Sequence, residues 1–444
     1  MAAAEVEEIP DEVGELLLER VCAIDVAKAA GKVCLRVPAA SGSGRRVSRV
    51  WDVPAMTRAV AELAATLVQQ RVQRVTVEST SDYWRIWYYV LEAAGLQVQL
   101  VNARDVRHVP GRAKTDKLDA VWLAKLTERG MLRASFVPPA PVRALRDYTR
   151  MRVDLTQERT RHWQRLEKLL EDSLIKVSSV ASKLTTVSVR DMLEALIRGE
   201  RDPQVLAKLA RGAMRLKHAA LVEALTGQFD DHHGELARIL LDQIDGLTAQ
   251  IDTLTARIDH LVNELPTDGP TETSTGPSDR PGMTTVDRLA EVPGLSTDTV
   301  PTLIAEIGLD MTRFPTAGHL ASWTRLTPRT IQSGAKQRRG KTGKGNPYLK
   351  GLLGQAAATA AKTDTFLGER YRRLVKRRGK GKALVAVARS ILIIIWHLLN
   401  DPDLRYHDLG PDYHTTRVNT TRKIRNLVHQ LEALGLTVAI QPAA

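Results

Sequence analysis

Four acidic residues in the first third of the chain have the types and placement that divalent-metal chemistry requires. Asp25 lies inside an apolar segment, "RVCAIDVA", and Glu78 ends another, "VQRVTVE". Asp116 and Asp119 are three residues apart in "KTDKLDAVWLAKLTERG", so that both would lie on one side of a helix. A carboxylate inside an apolar strand is costly unless something compensates its charge. Four converging carboxylates would repel one another unless cations lay among them.

Oxygen ligands without Cys or His suit Mg²⁺ or Mn²⁺, and two such ions can activate a nucleophile and bind a scissile phosphate. Each acid also has a simpler interpretation. Asp25 could cap a turn, and Asp116 and Asp119 could be solvated acids paired with Lys114 and Lys117. The residue types alone leave both interpretations open.

A serine, Ser333, lies in a strongly basic stretch, "RTIQSGAKQRRGKTGKGNPYLK" (329–350). A serine attacks phosphate poorly unless a base or a metal takes its proton and donors receive the developing charge. The glycines of this stretch predict an open loop whose backbone can approach a ligand closely. Six cations flank the serine: Lys336, Arg338, Arg339, Lys341, Lys344 and Lys350. The stretch by itself does not separate a nucleophile from an ordinary polar residue.

Basic charge is concentrated around this serine. Residues 321–382 contain 17 Lys or Arg against two acids, a net charge of +15 that exceeds the +13 of the whole chain. A second run, "RYRRLVKRRGKGK" (370–382), contributes Arg372, Arg373, Lys376, Arg377 and Arg378. Such density predicts binding to nucleic-acid phosphates that weakens with rising salt, the alternative being a solvated basic face.

The elements that must position the acids alternate between strand and helix patterns over residues 20–130. "RVCAIDVA" and "KVCLRVP" predict two apolar strands, with a turn at Ala30-Gly31. Later strands are separated by helical patterns, which predicts a mixed α/β sheet.

Two of these helices have predicted buried faces. In "DYWRIWYYVLEAAG" we expect Trp84, Trp87 and Tyr88 to face the core, with Gly95 ending the helix. In the helix of Asp116 and Asp119, apolar groups recur at spacings of three and four. They are Leu118, Val121, Trp122 and the aliphatic stem of Lys125.

Residues 141–265 are helical in pattern throughout and end in a heptad repeat. Ile244, Ile251 and Ile258 alternate with leucines (Leu240, Leu247, Leu254, Leu261 and Leu265), the combination that favours a two-stranded parallel coil. We therefore expect this repeat to join subunits. The alternative is an antiparallel pairing with the chain's own helix at 143–174.

The predicted organisation has five parts: a domain at 18–135, the helical coiled-coil region at 141–265, a Pro/Gly/Ser/Thr-rich linker at 266–282, a mostly helical domain at 283–410 that contains the serine, and a tail at 411–444. Within the fourth part, "LAEVPGLSTDTVPTLIAEIG" resembles a helix-hairpin-helix, whose Pro-Gly turn contacts phosphates. A plain αα-hairpin would have a similar pattern.

Other features exclude classes of protein. Cys22 and Cys34 are too few for a disulfide framework or a Cys-based zinc site, which fits a reducing cytosol. The acidic N-terminus lacks the basic region of a signal peptide. The most apolar run, "ALVAVARSILIIIWHLL" (383–399), is short for a membrane span and contains Arg389, so we expect a buried core helix and no membrane partner.

In order along the chain, "AIDVAK", "TVESTSDYW", "GRAKTDKLDAVWLAKL", "VPGLSTDTVPTLIAEIG" and "RTIQSGAKQRRGKTGKGNPYLK" resemble the DEDD transposases of the IS110 insertion-sequence family. The resemblance covers about residues 21–408. It implies an α/β RuvC-like (RNase H fold) N-terminal domain, a helical coiled-coil insert, and a mostly α C-terminal domain with a helix-hairpin-helix-like element. Two residues depart from the family pattern: Ser81 follows Thr80 where glycine is common, and Lys350 stands where arginine is common.

The resemblance also implies a mechanism. Ser333 would attack a DNA phosphodiester and form a covalent phosphoserine, while Asp25, Glu78, Asp116 and Asp119 would hold Mg²⁺ (or Mn²⁺) near the same phosphate. The implied partners are donor and target DNA, an element-encoded bridge RNA that pairs with both, and further copies of the chain in a dimer or tetramer. The implied location is the bacterial cytoplasm, at the nucleoid during the reaction.

Two other functions stay open. A metal-dependent nuclease of the junction-resolvase type would use the acids and water, with Ser333 only contacting phosphate. A non-enzymatic nucleic-acid-binding protein would keep the basic surface without using the acids.

Overall fold

The computed structural model describes residues 18–39, 46–79, 81–102, 116–265, 283–328, 330–333, 336–340, 342–413 and 420–440. By its internal contacts the chain divides into two units, Met1–Val137 and Pro138–Ala444. The finer five-part division stays a prediction, and its linker at 266–282 lies outside the described residues.

The first unit contains a six-stranded mixed sheet in the order β3-β2-β1-β4-β5-β6. β1 to β3 form an antiparallel meander, β4 and β5 continue the sheet parallel to β1, and β6 returns antiparallel to β5. The strands are β1 (Val21–Val26), β2 (Ala30–Pro38), β3 (Arg46–Pro54), β4 (Arg74–Ser79), β5 (Val98–Asn102) and β6 (Ala134–Ser135). This confirms the expected α/β class of fold with a mixed sheet.

Side chains alternate between the two faces of the sheet along each strand, and apolar side chains on both faces pack against helices. α1 (Thr57–Gln69) and α2 (Arg85–Ala93) pack with Cys22, Ile24 and Val26 of β1. α3 (Asp116–Glu128) packs with Val21 and Ala23 on the opposite face. The face covered by α3 is therefore the one to which position 25 belongs.

The predicted turn at Ala30-Gly31 is wrong, since both residues belong to β2 and Gly31 pairs with Val26. The glycine has a packing reason instead. A Cβ atom at Gly31 would lie 2.7 Å from the Trp87 ring and 3.0 Å from Ile24. Glycine in a strand often marks such a close approach, which a sequence pattern does not distinguish from a turn.

The burial of α2 agrees with the prediction, and that of α3 agrees in part. Trp87 and Tyr88 are buried in α2. In α3, however, Leu118 is 46% exposed, and the residues facing the sheet are Ala120, Leu123, Ala124 and Thr127. Of the predicted apolar residues, Val121 and Trp122 pack half-buried against this core, so the prediction is wrong for Leu118.

The second unit begins with a long antiparallel helix pair, α4 (Ala140–Asp172) and α9 (Asp231–Asn263). Arg159 Nη1 donates to Thr248 Oγ1 at 3.2 Å near the middle of the pair. The segment between them contains α5 (Val177–Val180), α6 (Val187–Ile197), α7 (Pro203–Lys208) and α8 (His218–Leu225).

This pair is the antiparallel alternative to a coil between subunits. The heptad isoleucines Ile244, Ile251 and Ile258 are buried within the chain, whereas the leucines of the repeat are only half-buried. Association of subunits through the same repeat stays a prediction.

The remaining helices build the core of the second unit. They are α10 (Thr285–Ala290), α11 (Val300–Ile307), α12 (Ala317–Trp323), α13 (Pro347–Ala360), α14 (Phe366–Arg378), α15 (Lys380–Asn400) and the amphipathic α16 (Thr420–Glu432). Leu145 of α4 and Ile258 of α9 belong to the same core.

Among the described residues, α15 is long and apolar enough to span a membrane by length and composition. Its residues Val387, Ile391 and Ile395 are fully buried in this core. That burial agrees with the predicted core helix.

Candidate functional site

Two of the predicted acids lie side by side near the C-terminal ends of the central strands β1 and β4, and this end is called the acidic edge of the sheet. The parallel register pairs Ile24 of β1 with Val77 of β4, so that Asp25 and Glu78 occupy the next position on each strand. Both belong to the sheet face covered by α3, because Ile24 and Val77 face the α1–α2 side. Asp25 is half-buried, and Glu78 is buried at 8% exposure.

The other two acids are in the first turn of α3, which runs opposite to β1. The C-terminal end of α3 lies beside the start of β1, where Leu18 N donates to the Glu128 carbonyl at 3.0 Å. Glu128 also forms an ion pair with Arg36, and Arg36 is paired with Val21 across the sheet.

The rise along the two elements brings this turn level with Asp25. The nine residues from Glu128 back to Asp119 rise about 13.5 Å in a helix. The four residues from Val21 to Asp25 rise about 13 Å in a strand. The backbone positions of Asp119 and, one turn further, Asp116 are therefore at the same end of the sheet as the two strand acids.

A buried chain of hydrogen bonds holds α3 against the sheet below these acids. Gln99 Nε2 donates to Thr76 Oγ1 at 2.7 Å, and Thr76 Oγ1 lies 2.7 Å from Thr127 Oγ1. Thr127 Oγ1 donates to the Leu123 carbonyl at 2.8 Å, so the Thr76 hydroxyl is the donor to Thr127. The chain links β5, β4 and α3 and fixes the helix that positions Asp119.

The cation nearest in the sheet register to Asp25 has a partner of its own. Lys32 is the β2 residue opposite Asp25, and its Nζ lies 2.5 Å from Asp52 of β3. Lys32 therefore forms an ion pair with a carboxylate outside the predicted set of four. An all-carboxylate set without Cys or His has the donor chemistry that Mg²⁺ or Mn²⁺ prefers.

Ser333 lies in a β-hairpin rather than in the open loop that the glycines predicted. β7 (Thr330–Ser333) pairs with β8 (Lys336–Arg339), and Ser333 is the last residue of β7, opposite Lys336. Two residues separate the strands in sequence, which is the commonest hairpin connection. The strand pairing places positions 331, 333, 336 and 338 on one face of the hairpin and position 339 on the other.

A buried ionic cluster lies where the chain returns from this hairpin. Glu306 of α11 is fully buried and accepts from Arg150 Nε and Nη2 at 2.7 and 2.8 Å. Arg146 donates to the backbone carbonyls of Ala305 and Glu306 at 2.8 and 2.9 Å. The hydrogen bonds that Arg150 donates to the Glu306 carboxylate raise the pKa of Arg150.

Glu306 connects this cluster to the start of α13. Asn346 Nδ2 donates to the Glu306 carboxylate, while Asn346 Oδ1 caps α13 by accepting from Tyr348 N and Leu349 N at 3.0 and 3.2 Å. Gly345, at φ 62°, would place a Cβ atom 2.7 Å from the Thr324 carbonyl. The start of α13, which follows the hairpin in the chain, is thus held by Glu306 of α11, the residue that also binds Arg150 of α4.

The predicted nucleic-acid-binding residues fall into three groups. The first group, Lys336, Arg338 and Arg339, is on β8. The second group follows β8 in the chain and consists of Lys341, Lys344 and Lys350. Lys341 lies outside the described residues, and Lys344 is exposed. Lys350 is half-buried, and its Nζ donates to the Gly343 carbonyl at 2.8 Å. The third group is on α14: Arg372, Arg373, Lys376, Arg377 and Arg378.

Within the third group, Arg372 differs from its neighbours. Its guanidinium forms ion pairs with Glu369 and Asp364, both at 3.0 Å. Lys376, Arg377 and Arg378 are exposed in the last turn of α14.

The helix-hairpin-helix-like segment forms α10, a turn and α11. Gly294 in the turn has φ 96°, and a Cβ atom there would lie 2.2 Å from the carbonyl oxygen of Ala356 on α13. The glycine therefore permits close packing between backbones, independently of any contact with nucleic acid.

Sequence reasoning missed the Glu306 cluster. The available signal was Glu306 itself, an acid near the end of the apolar run "VPTLIAEI". Its partner Arg150 is 156 residues away, at a spacing that no local pattern reveals.

Two family models match the chain. Residues 22–175 match the IS110 DEDD transposase model, a range that contains all four acids. Residues 286–372 match the model described as "Transposase IS116/IS110/IS902 family", a range that contains Ser333. Together the two matches span more than half of the 444 residues.

No curated protein matches the chain. Among solved structures, "Thermus thermophilus RuvC structure" is similar at 14% identity with a TM-score of 0.20, covering 26% of this chain and 99% of that one. From the two family matches, the chain belongs to the IS110 family of DEDD transposases, enzymes that cut and recombine DNA.

Proposed function

We propose that this transposase cuts and rejoins DNA through a covalent phosphoserine at Ser333, with divalent ions held by Asp25, Glu78, Asp116 and Asp119. The observation that carries the proposal is the adjacency of Asp25 and Glu78 at the sheet edge beside the first turn of α3. Carboxylates from three elements that converge at one point repel one another, and divalent cations bound among them would offset that repulsion.

The four carboxylates would bind Mg²⁺ or Mn²⁺ through oxygen atoms alone. Divalent ions bound there supply Lewis-acid stabilisation of phosphate charge and favour deprotonation of a nucleophile. The chain's own contribution is to fix the ligands. The register fixes Asp25 against Glu78, and the Gln99–Thr76–Thr127 hydrogen bonds fix the helix that carries Asp119.

At the serine, a bond from Oγ to phosphorus would form while a bond from phosphorus to a sugar oxygen breaks. The serine proton leaves with a base, and the departing sugar oxygen gains a proton. Basic positions 336 and 338, on the hairpin face of position 333, would stabilise the additional negative charge on the phosphoryl oxygens. The reverse attack by a sugar oxygen would rejoin the strand and release Ser333.

The proposed partners are donor and target DNA and a structured bridge RNA. The net charge of +15 over residues 321–382 supports contacts to phosphate backbones, which DNA and RNA share. Base pairing by an RNA would supply the sequence specificity that backbone contacts lack. We further propose assembly through the half-buried leucines of α9 and action in the bacterial cytoplasm at the nucleoid.

The serine mechanism is tested by trapping the covalent intermediate. The protein is expressed with the DNA of its own element, the cells are lysed in denaturant, and protein-bound DNA is measured. We expect bound DNA with the wild type and none with Ser333→Ala. Ser322→Ala, an exposed serine of α12, is the matched control and should retain the adduct.

The alternatives give different results. DNA cutting by Ser333→Ala at the wild-type rate, with loss of cutting in Asp25→Asn, would identify a hydrolytic nuclease. DNA binding without cutting, unchanged by Mg²⁺ and by Asp25→Asn, would identify a binding protein.

A further inference from the structure

The packing of α14 against α15 brings together many basic side chains. The 20 residues from 370 to 389 include nine Lys or Arg and no Asp or Glu. The nearest preceding acids, Glu369 and Asp364, are both paired with Arg372. The stretch from 370 to 389 therefore contains no acid of its own to balance its positive charge.

Arg370 and Arg389 face each other within this surface. Arg370 lies nine positions before Gly379, which joins the two helices, and Arg389 lies ten positions after it. These nearly equal distances from the junction place the two residues at about the same level of the packed helices, and the charge of Arg389 acts on Arg370. Arg389 is exposed, whereas Arg370 is half-buried.

The guanidinium of Arg370 lacks a partner within the described part of the chain. Its Nε is buried without a hydrogen bond there, and neither Arg370 nor Arg389 forms an ion pair with a described residue. Burial lowers the pKa of Arg370, and the neighbouring charges of Arg373 and Arg389 lower it further. An unpaired, partly desolvated cation next to like charges costs free energy that a bound anion would recover.

We propose that Arg370 and Arg389 form a binding site for one phosphate of a nucleic-acid backbone, at the junction of α14 and α15. A guanidinium presents N–H donors in the fork geometry that suits phosphate oxygens. The exposed Lys376, Arg377 and Arg378 continue the positive surface from this site and would contact the following phosphates. The inference rests on the proposed function only in requiring that the protein bind nucleic acid.

The salt dependence of binding tests this site. The full-length protein is titrated with a duplex DNA oligonucleotide and, separately, with a structured RNA of equal charge, over a range of NaCl concentrations. Loss of one phosphate contact should reduce the slope of log K against log salt by about 0.9 for DNA. We expect this reduction in Arg389→Gln, in Arg370→Gln and, without doubling, in the double variant, because both side chains bind one phosphate.

Arg405→Gln is the matched control. It removes one positive charge from the same unit, but Arg405 is already held by Glu291 at 3.0 and 3.1 Å. Its slope should equal that of the wild type. Arg389→Gln should also keep or raise the melting temperature of the free protein, because it removes a repelling charge from the surface. An anion site thus predicts weaker binding together with undiminished stability.

The outcomes separate this site from the proposed function. A slope reduced with DNA assigns the phosphate to DNA, and a slope reduced with RNA assigns it to RNA. Slopes of both variants equal to that of Arg405→Gln would overturn the site while leaving the Ser333 adduct unaffected. A wild type that binds neither nucleic acid would overturn both.

Discussion

The edge of the sheet with Asp25 and Glu78 and the hairpin with Ser333 are held in place by different means. The acids are positioned by backbone pairing, because one strand register sets both of them. The return of the hairpin is held by side chains, through Glu306, Arg150 and Asn346. Backbone pairing depends little on any one side chain, whereas a buried ionic cluster depends on each of its members.

The two regions should therefore respond differently to single substitutions. A substitution at Asp25 should remove chemistry and leave the fold intact. A substitution at Glu306 touches no proposed reacting atom, yet it should disturb the elements on which the Ser333 hairpin is built. The following predictions test this contrast.

The largest expected effect follows from removing the buried carboxylate of Glu306. Glu306→Ala leaves Arg150 without its partner and should lower the free energy of unfolding of the second unit by about 3–5 kcal/mol. Urea unfolding followed by circular dichroism measures it. Glu171→Ala, which removes an exposed partner of Lys176, is the control and should cost less than about 1 kcal/mol. Equal effects of the two variants would contradict the importance of the buried cluster.

Cysteine reactivity reports on the first unit alone, because both cysteines of the chain are in β1 and β2. Burial raises the pKa of Cys34 to about 11 and raises that of Cys22 as well. At pH 8 both thiols should react with iodoacetamide at least about 100-fold more slowly in the folded protein than in urea, since the thiolate is the nucleophile. Glu306→Ala should leave this protection unchanged. Faster labelling in that variant would show that the two units unfold together.

Gly31→Ala should disturb the acidic edge of the sheet by a steric route. The added Cβ atom meets Trp87 at 2.7 Å, and such overpacking costs about 1–3 kcal/mol. Gly246→Ala is the control, since that helical glycine has open space around it and should become more stable by about 0.5–1 kcal/mol. Thermal unfolding of both variants measures the difference. An unchanged melting temperature for Gly31→Ala would mean that Trp87 moves away without cost.

The smallest effect is expected at Ser81, two residues beyond β4. Ser81 has φ 53°, a left-handed conformation that costs a non-glycine residue about 1–2 kcal/mol. Ser81→Gly should therefore stabilise the first unit by about 0.5–1 kcal/mol, after the greater chain entropy of glycine is subtracted. Differential scanning calorimetry detects it, with Ser322→Gly in α12 as a destabilising control. A loss of stability in Ser81→Gly would show that the serine side chain has a compensating contact.

How far the sequence predicts this structure depends on the range of each interaction. Alternating apolar residues predict β1 and β4, and hence the strand positions of Asp25 and Glu78. The pattern fails at Leu118 of α3, which is exposed while Ala120 and Ala124 pack on the sheet. Gly31 was misjudged because a glycine required by Trp87 has the same appearance as a turn glycine.

The resemblance to a family supplied what local patterns could not, namely the role of Ser333. No local pattern predicts that Glu306 contacts Arg150, or that Arg372 is paired while Arg370 Nε has no hydrogen bond to a described residue. These contacts depend on which helices pack together. They follow from the tertiary structure and not from any single segment.

The separation between Arg150 and Glu306 has a consequence for synthesis on the ribosome. The two residues are 156 positions apart, so at usual elongation rates Arg150 is made roughly 8–30 s before its partner. During that interval α4 can pair with α9 through its apolar face, while the arginines that later bind Glu306 are exposed to solvent. A gene copy interrupted before codon 306 would therefore encode α4 and α9 without the carboxylate that binds Arg150.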